Sequence, residues 1–485
     1  VSRRSTALWI LAGLTALGVA LRFASLGVQS YHHDEVITAL RVLPGSFGEM
    51  LHAVRVSESN PPLYYVLGWA WAKEFGTGEI GLRSLSALFG AATVPVGYLI
   101  GRQLASRRAG LVLAALIAVN PMLIWYSQEA RSYALLVFFG TLAVFFFVRA
   151  LDTGRGRDLA WWALVSALAL CSPYFAVFAV AIEALWLIVA LRARWRVVLP
   201  AVAAAGAAGL ALLPLANSQT NPTHIGWIEN SPLAERFWET AVSFLVGETG
   251  HVIAEAPRDR YALVPIVLVG LALALIAFRS ERRERRGAVL GLALGLGVAA
   301  LTAIAALAGK DYVVERNLLP ALVPLLAVVA IGFAVAGARR LGLLFAVALC
   351  AYWIAFDVHV TQTPNLQRPD FRTVTDALGP PGGRRAIVTW KLAADPVRYY
   401  LHDQAVRMYG GEERIREVAV LRKPLVTGQL VSLPPSFHQV GRVRADRLTL
   451  NVYFSKRPVP IRFDTLRKLP TGFGEVAVLL DGGRP

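Results

Sequence analysis

The stretch TALWILAGLTALGVALRFASLGV, Thr6–Val28, decides how the rest of the chain is read. It is apolar over a length that meets the ~20 residues a helix needs to cross a bilayer. It is too long for an ordinary signal peptide and lacks a clear cleavage site, so it is expected to be a retained first span. The chain then turns polar. QSYHHDEVITALRVL, Gln29–Leu43, places His32, His33, Asp34 and Glu35 in consecutive positions. Two questions follow: how many spans come after the first, and whether this cluster anchors the chain or does chemistry.

Of the 485 residues, 56% are hydrophobic, and the mean hydropathy is +0.52. Apolar runs of about 20 residues recur through the first three quarters of the chain, the signature of an α-helical polytopic membrane protein. The short alternating segments of a membrane barrel are missing from that region. The formal charge of +17 could suggest a nucleic-acid partner, but the arginines fall in short loops between apolar runs. That is the positive-inside pattern, and it argues for a membrane and against nucleic acid. Cys171 and Cys350 both lie in apolar runs. They are too few for a disulfide framework or a zinc site and read as small core residues.

Placed by apolar length, the spans number about eleven, at about 7–28, 80–101, 109–127, 130–148, two within 159–191 divided at CSPYF, 197–214, 261–278, 287–308, 318–337 and 341–357. The basic loops at Arg102–Arg108, Arg149–Arg157, Arg192–Arg196, FRSERRERRG and Arg339–Arg340 then share one side with Arg3–Arg4, expected to be the cytoplasm. The outer loops, about 29–79 and 215–260, and the tail face the other way. Asn60–Phe75 is too short to span and opens with Pro-Pro; it is expected to be an interfacial or re-entrant helix. These readings give a transmembrane domain over 1–358 and an extracytoplasmic α/β domain over 359–485. Strands are expected at Arg384–Trp390, Arg416–Lys423, Leu448–Phe454 and Gly474–Asp481, with a helix at Asp395–Asp403.

Asp34 stands before an amphipathic pattern formed by Val36, Ile37, Leu40 and Leu43. It can be read as a helix N-cap or as a chemical group, and the cluster alone leaves both open. Three further outward sites carry charge. YSQEARSY, Tyr126–Tyr133, holds Glu129 and Arg131 in a very short connection. Ionisable groups there are costly unless they face a cavity or a partner. GKDYVVERNLLP, Gly309–Pro320, carries Lys310, Glu315 and Arg316 against the positive-inside trend, and Arg83 opens the second span. Structural ion pairs and interfacial snorkelling are the plain alternatives for these groups. Together they supply what transfer of a sugar from a lipid phosphate needs. A carboxylate takes the proton of an attacking hydroxyl, and guanidinium groups hold the departing phosphate. The sequence has no Asp-x-Asp metal motif and no GxxxxGK[ST] loop.

The stretches YHHDEVIT, NPPLYYVLGWAWAKEFG, LRSLSALFGAATVPVGYLIGRQLASRRAG, NPMLIWYSQEARSYAL and YVVERNLLPALVPLL, in this order, resemble the GT-C superfamily of polyprenyl-phosphate-sugar-dependent glycosyltransferases. The chain looks most like bacterial relatives of protein O-mannosyltransferases and of the lipid A aminoarabinose transferase. The tail from RPDFR resembles the extracytoplasmic domain of many members. The resemblance implies that Asp34 is the catalytic base with Glu35 beside it. It implies that Glu129 and Arg131 line the cavity, that Arg83 stands where relatives carry a functional arginine, and that Arg316 contacts the lipid phosphate. The expected site is then Asp34 and Glu35 for the chemistry, Arg83, Arg131, Lys310 and Arg316 for the lipid phosphate of the donor, and Glu129, Asn60 and Tyr64 to line or orient the cavity. Asn60 stands where relatives often carry His, and CSPYF where they often carry a Thr-His-Tyr-Phe-like turn. No cofactor is required by this reading, and a divalent metal is not indicated, although His224 and His251 are candidate ligands. The expected partners are a polyprenyl-phosphate sugar, membrane lipids, and an acceptor glycan, lipid or protein, at a bacterial inner membrane. A polyprenyl-diphosphate-glycan ligase and a lipid-linked glycan transporter or flippase are the alternatives. Against transport, mid-span acids such as Glu183 are isolated.

Overall fold

The computed structural model describes residues 3–219, 231–248, 259–402, 404–423, 433–445, 447–472 and 474–482. His224 and His251 lie outside them. The chain forms two compact units, one of residues 1–26 and 42–360, the other of residues 27–41 and 361–485. Residues 27–41, which the sequence reading grouped with the transmembrane domain, thus group with the C-terminal domain.

The first unit is helical. Among the described residues, eight helices are long and apolar enough to cross a membrane: Ser5–Phe23, Glu79–Leu104, Tyr133–Thr153, Arg192–Gln219, Asp259–Arg279, Arg282–Leu307, Glu315–Ala334 and Ala336–Gln362. A ninth span is formed if Arg107–Val119 and Pro121–Ser127, bent by 55° at their junction, are counted together. The run divided at CSPYF is two helices of 15 residues, Gly156–Leu170 and Ala176–Ala190. Each is shorter than the ~20 residues of a full span, so the count of about eleven is not reached by length alone. Leu63–Phe75 is a helix of 13 residues, as its length suggested.

The bend has a local cause. Pro121 has no N–H to give the carbonyl four residues earlier, and that carbonyl belongs to Ile117. Arg22 fills the gap: Nη2 donates to the Ile117 carbonyl at 2.9 Å and Nη1 to that of Ala118 at 2.9 Å. Its Nε donates to Ser127 Oγ at 3.1 Å. Asn120 caps the second piece, its side chain accepting from the Leu123 N–H at 3.1 Å. Glu79–Leu104 passes so close that a Cβ on Gly90 would overlap the Ser127 hydroxyl. An arginine inside an apolar run is therefore a backbone partner, which hydrocarbon cannot be. Glu183 has a neutral partner there, since Trp162 Nε1 donates to it at 2.6 Å.

The second unit holds a six-stranded sheet of β1 (Arg385–Trp390), β2 (Val406–Met408), β3 (Glu412–Arg422), β4 (His438–Ala445), β5 (Leu448–Arg462) and β6 (Val476–Asp481), in the order β2-β6-β1-β3-β5-β4. β1 and β3 are parallel, and the other pairs are antiparallel. One face buries Phe371, Trp390, Val397 and Leu450. The other buries Val388, Ile415, Val418 and Leu466. The four expected strands are present. β2 has only three residues, and β4 is an edge strand rich in charge, the composition that keeps edges from pairing with other chains, so neither carried a strand signal. Arg385 is buried in β1 between Glu417 at 2.7 Å and Asp481 at 3.2 Å, which neutralise it.

Candidate active site

In the second unit, the acidic cluster is the start of a short helix, His33–Ile37. The N-cap residue is His32, not Asp34. The side chain that closes the first turn is Glu35, whose Oε2 accepts the His32 N–H at 3.0 Å. This is the return half of a capping box, and it gives Glu35 a backbone partner. Asp34, one position into the first turn, is half-buried rather than sealed in the core. The anion-favouring end of the helix stands behind it. The plain reading of Asp34 as a cap therefore passes to its neighbour.

The flanking residues are fixed by the rest of this unit. Ser30 Oγ donates to the Pro369 carbonyl at 2.8 Å and accepts the Phe371 N–H at 3.0 Å. The Tyr31 N–H donates to the Tyr400 hydroxyl at 2.7 Å. The Tyr31 ring meets Tyr399 edge-on at 5.3 Å. His33 Nδ1 lies 3.8 Å and Arg41 2.6 Å from the carboxylate of Asp395.

In the first unit, the connection that carries the Gln-Glu-Ala-Arg motif is almost entirely buried. Gln128 Nε2 donates to the Leu21 and Arg22 carbonyls at 3.0 and 3.2 Å and to Ser25 Oγ at 2.7 Å, which ends the first helix. Arg131 Nη1 donates to both oxygens of Glu58, at 3.0 and 2.8 Å. Tyr65 stands beside this pair, its phenol held well above the ordinary range, by burial first. Arg83 is buried and donates to the Leu26 carbonyl at 2.8 Å. Tyr64 is buried edge-on to Tyr65, with ring centroids 5.6 Å apart. Asn60 is buried, and its backbone carbonyl accepts from Gln219 Nε2 at 3.2 Å.

Glu129 faces other carboxylates. With Glu315 it acts on Glu248, whose carboxyl is pushed up to about 8, by burial first and then by the Glu315 and Glu129 charges. Tyr126 lies against the same group and opposes that rise. The connection that carries Lys310 and Arg316 is tied down by Asp311. Its two oxygens accept from Arg236 at 2.7 and 2.6 Å, and that bonding holds the Asp311 carboxyl below its usual range. Lys310 is exposed and Arg316 half-buried. Among the described residues no group of three or more His, Cys, Asp or Glu is placed to hold a metal ion.

The sequence reading named Arg131, Glu129 and Asp34 but not the residues that the structure sets against Arg131 and Glu129 or around Asp34. Glu58 has no motif of its own beyond its place just before Asn60-Pro-Pro. Glu248 gave no signal, and Asp395 was noted only as the acidic start of a helix.

Residues 59–216 match the family model of dolichyl-phosphate-mannose-protein mannosyltransferases. Among curated proteins no sequence matches. The fold is similar to that of ArnT from Cupriavidus metallidurans bound to undecaprenyl phosphate, with a TM-score of 0.55 and 12% identity over 93% of this chain and 98% of that one. The apo state of the same protein aligns with a TM-score of 0.56 and 12% identity, over 92% of this chain and 98% of that one.

Proposed function

The chain has the GT-C fold, and we propose that it is an integral-membrane glycosyltransferase that moves a sugar from a polyprenyl-monophosphate carrier to an acceptor hydroxyl on the extracytoplasmic face of a bacterial inner membrane. The observation that carries this reading is a half-buried carboxylate, Asp34, held at a helix start in a fold shared end to end with a protein crystallised with undecaprenyl phosphate. Asp34 takes the proton of the acceptor hydroxyl as that oxygen attacks the anomeric carbon. The carbon–phosphate oxygen bond breaks in the same displacement, so the configuration inverts and polyprenyl phosphate leaves.

Positive charge offsets the phosphate as it leaves. Arg131 and Arg316 are assigned to hold it, with Lys310 and Arg83 in support, and Arg131 carries Glu58 as a structural partner. Glu129, Asn60 and Tyr64 are assigned to orienting the acceptor and the cations. Glu35 is assigned to the helix cap rather than to the chemistry, on the strength of its bond to His32. No step needs a metal, because a phosphate monoester leaving group can be held by cations of the protein.

The test is a transfer assay on purified protein, with a panel of polyprenyl-phosphate sugars, measuring release of polyprenyl phosphate by the wild type and by Asp34→Asn. Release by the wild type alone supports the reading and names the donor. Equal release by both removes Asp34 from the mechanism. Release only from a diphosphate-linked donor favours the ligase.

A further inference from the structure

We propose that Asp395 and Tyr400 of the C-terminal domain are positioning residues for catalysis, holding Asp34 where it can act. The proposal rests on the reading of Asp34 as the base. It adds that the sheet domain is a working part of the catalytic apparatus and not only an appendage that selects acceptors.

The argument begins with how little the segment 27–41 can do alone. Its helix has five residues, His33–Ile37, too short to be stable without tertiary partners. Its partners within the unit include three groups that bear on Asp34. Residues 368–371 hold the approach through Gln29 and Ser30: the Arg368 N–H donates to Gln29 Oε1 at 3.0 Å, and Ser30 makes the two bonds already described. Tyr400 accepts the Tyr31 N–H three residues before Asp34. Asp395 takes both ends of the helical stretch, His33 at one end and Arg41 at the other.

The charge balance at Asp395 shows why it is the keystone. Its carboxylate is 3% exposed, and Arg407 and Arg398 of its own domain approach it at 3.2 and 4.0 Å. The domain thus brings two guanidinium groups to the place where the segment brings Arg41 and His33. Without the carboxylate, Arg41 of the segment and Arg407 of the domain, both gathered at this point, repel each other. With it, the three guanidinium groups share one acceptor. A single buried negative charge turns repulsion between segment and domain into attachment. Tyr400 adds a bond of fixed direction to the backbone beside the base. Displacement of a catalytic group by about 1 Å is enough to cost on the order of 100-fold in rate.

Two variants separate the parts. Tyr400→Phe removes one hydroxyl and keeps the ring, and Asp395→Asn keeps the volume and removes the charge. Hydrogen exchange of peptides covering residues 27–41 and 448–454 is followed together with transfer kinetics in the intact protein. The expected result is faster exchange in 27–41 alone, with kcat lowered on the order of 10- to 100-fold and KM for the donor unchanged. Adding Arg407→Gln to Asp395→Asn is expected to restore part of kcat, because it removes one of the repelling cations.

Unchanged exchange over 27–41 in both variants overturns the proposal. So does faster exchange that extends to 448–454, which would make the residues general supports of the domain, and so does faster exchange confined to 27–41 with kcat intact. Asp34→Asn in parallel keeps the two readings apart. If that variant is fully active while kcat falls in the others, Asp34 is not the base, and the domain positions a different group of the segment.

Discussion

Arg131 and Glu58, 73 residues apart in sequence, form a buried pair in which one nitrogen donates to both carboxylate oxygens. The pair explains how a guanidinium survives in a connection with almost no solvent. It also means that neither partner can be removed alone without leaving a buried charge. Glu58→Ala and Arg131→Ala are each expected to destabilise the protein by about 3–5 kcal/mol. The double variant Glu58→Gln with Arg131→Gln should cost less than the sum of the two. Thermal unfolding in detergent, compared at one scan rate, gives the ordering. If the single variants unfold at the wild-type temperature, the pair is not a structural unit.

Arg22 makes a sharper case, because its acceptors include the Ile117 carbonyl that Pro121 leaves without an N–H and the adjacent Ala118 carbonyl. Arg22→Leu would leave the Ile117 and Ala118 carbonyls unmatched, at about 1–3 kcal/mol for each group. Arg22→Lys can satisfy only part of the set, since an ammonium lacks the planar fork that reaches several acceptors at once. The expected order of folded yield after membrane extraction is wild type, then lysine, then leucine. Equal yields would show that water or another group serves these carbonyls.

These two pairings mark what the sequence could and could not tell. Span positions were legible because crossing a bilayer fixes an apolar length, and the long runs need no partner to be recognised. The kink at Asn120-Pro121 was hidden inside one run, and Arg22 carried no signal of its own within an apolar stretch. Glu58, Glu248 and Asp395 carry the charge balance of the candidate sites, but each acts on groups tens to hundreds of residues away. Arg41 and Asp395, for instance, are 354 positions apart. Nothing local to Asp395 sets it apart from any acidic helix start. Within the acidic cluster, sequence spacing favoured Asp34 as the cap, because the apolar pattern begins just after it. The helix starts two residues earlier, with His32 as its N-cap, and that shift by two puts Glu35 at the position that closes the capping box.

Glu248 makes stability depend on pH. Its carboxyl is raised from 4.5 to about 8 in the folded protein, by burial first and by Glu315 and Glu129 next. Between those two values the folded chain keeps a proton that the unfolded chain has released. Stability therefore falls as pH rises through that window and is fully present below it. The loss across the window is on the order of a few kcal/mol. Apparent unfolding temperature measured from pH 5 to pH 8.5 should decline in the wild type, and the decline should be flatter in Glu248→Gln. The same slope in both would place the proton elsewhere.

Asp34 and Glu35 are adjacent, carry the same charge, and invite the same role, yet their surroundings assign them different work. Glu35 is buried and spends an oxygen on the His32 N–H. A glutamine can accept that bond equally well at the third helical position. Glu35→Gln is therefore expected to keep transfer within a few-fold of wild type, and Glu35→Ala to lose about 0.5–2 kcal/mol of stability through the cap. Asp34→Asn keeps shape and helix but removes the proton acceptor, so transfer should fall by at least about 100-fold, the low end of what a general base contributes, with an unchanged unfolding temperature. The measurement is polyprenyl phosphate release by the three variants beside the wild type. The reverse pattern, an inactive Glu35→Gln and an active Asp34→Asn, would move the base by one residue and leave the cap unexplained.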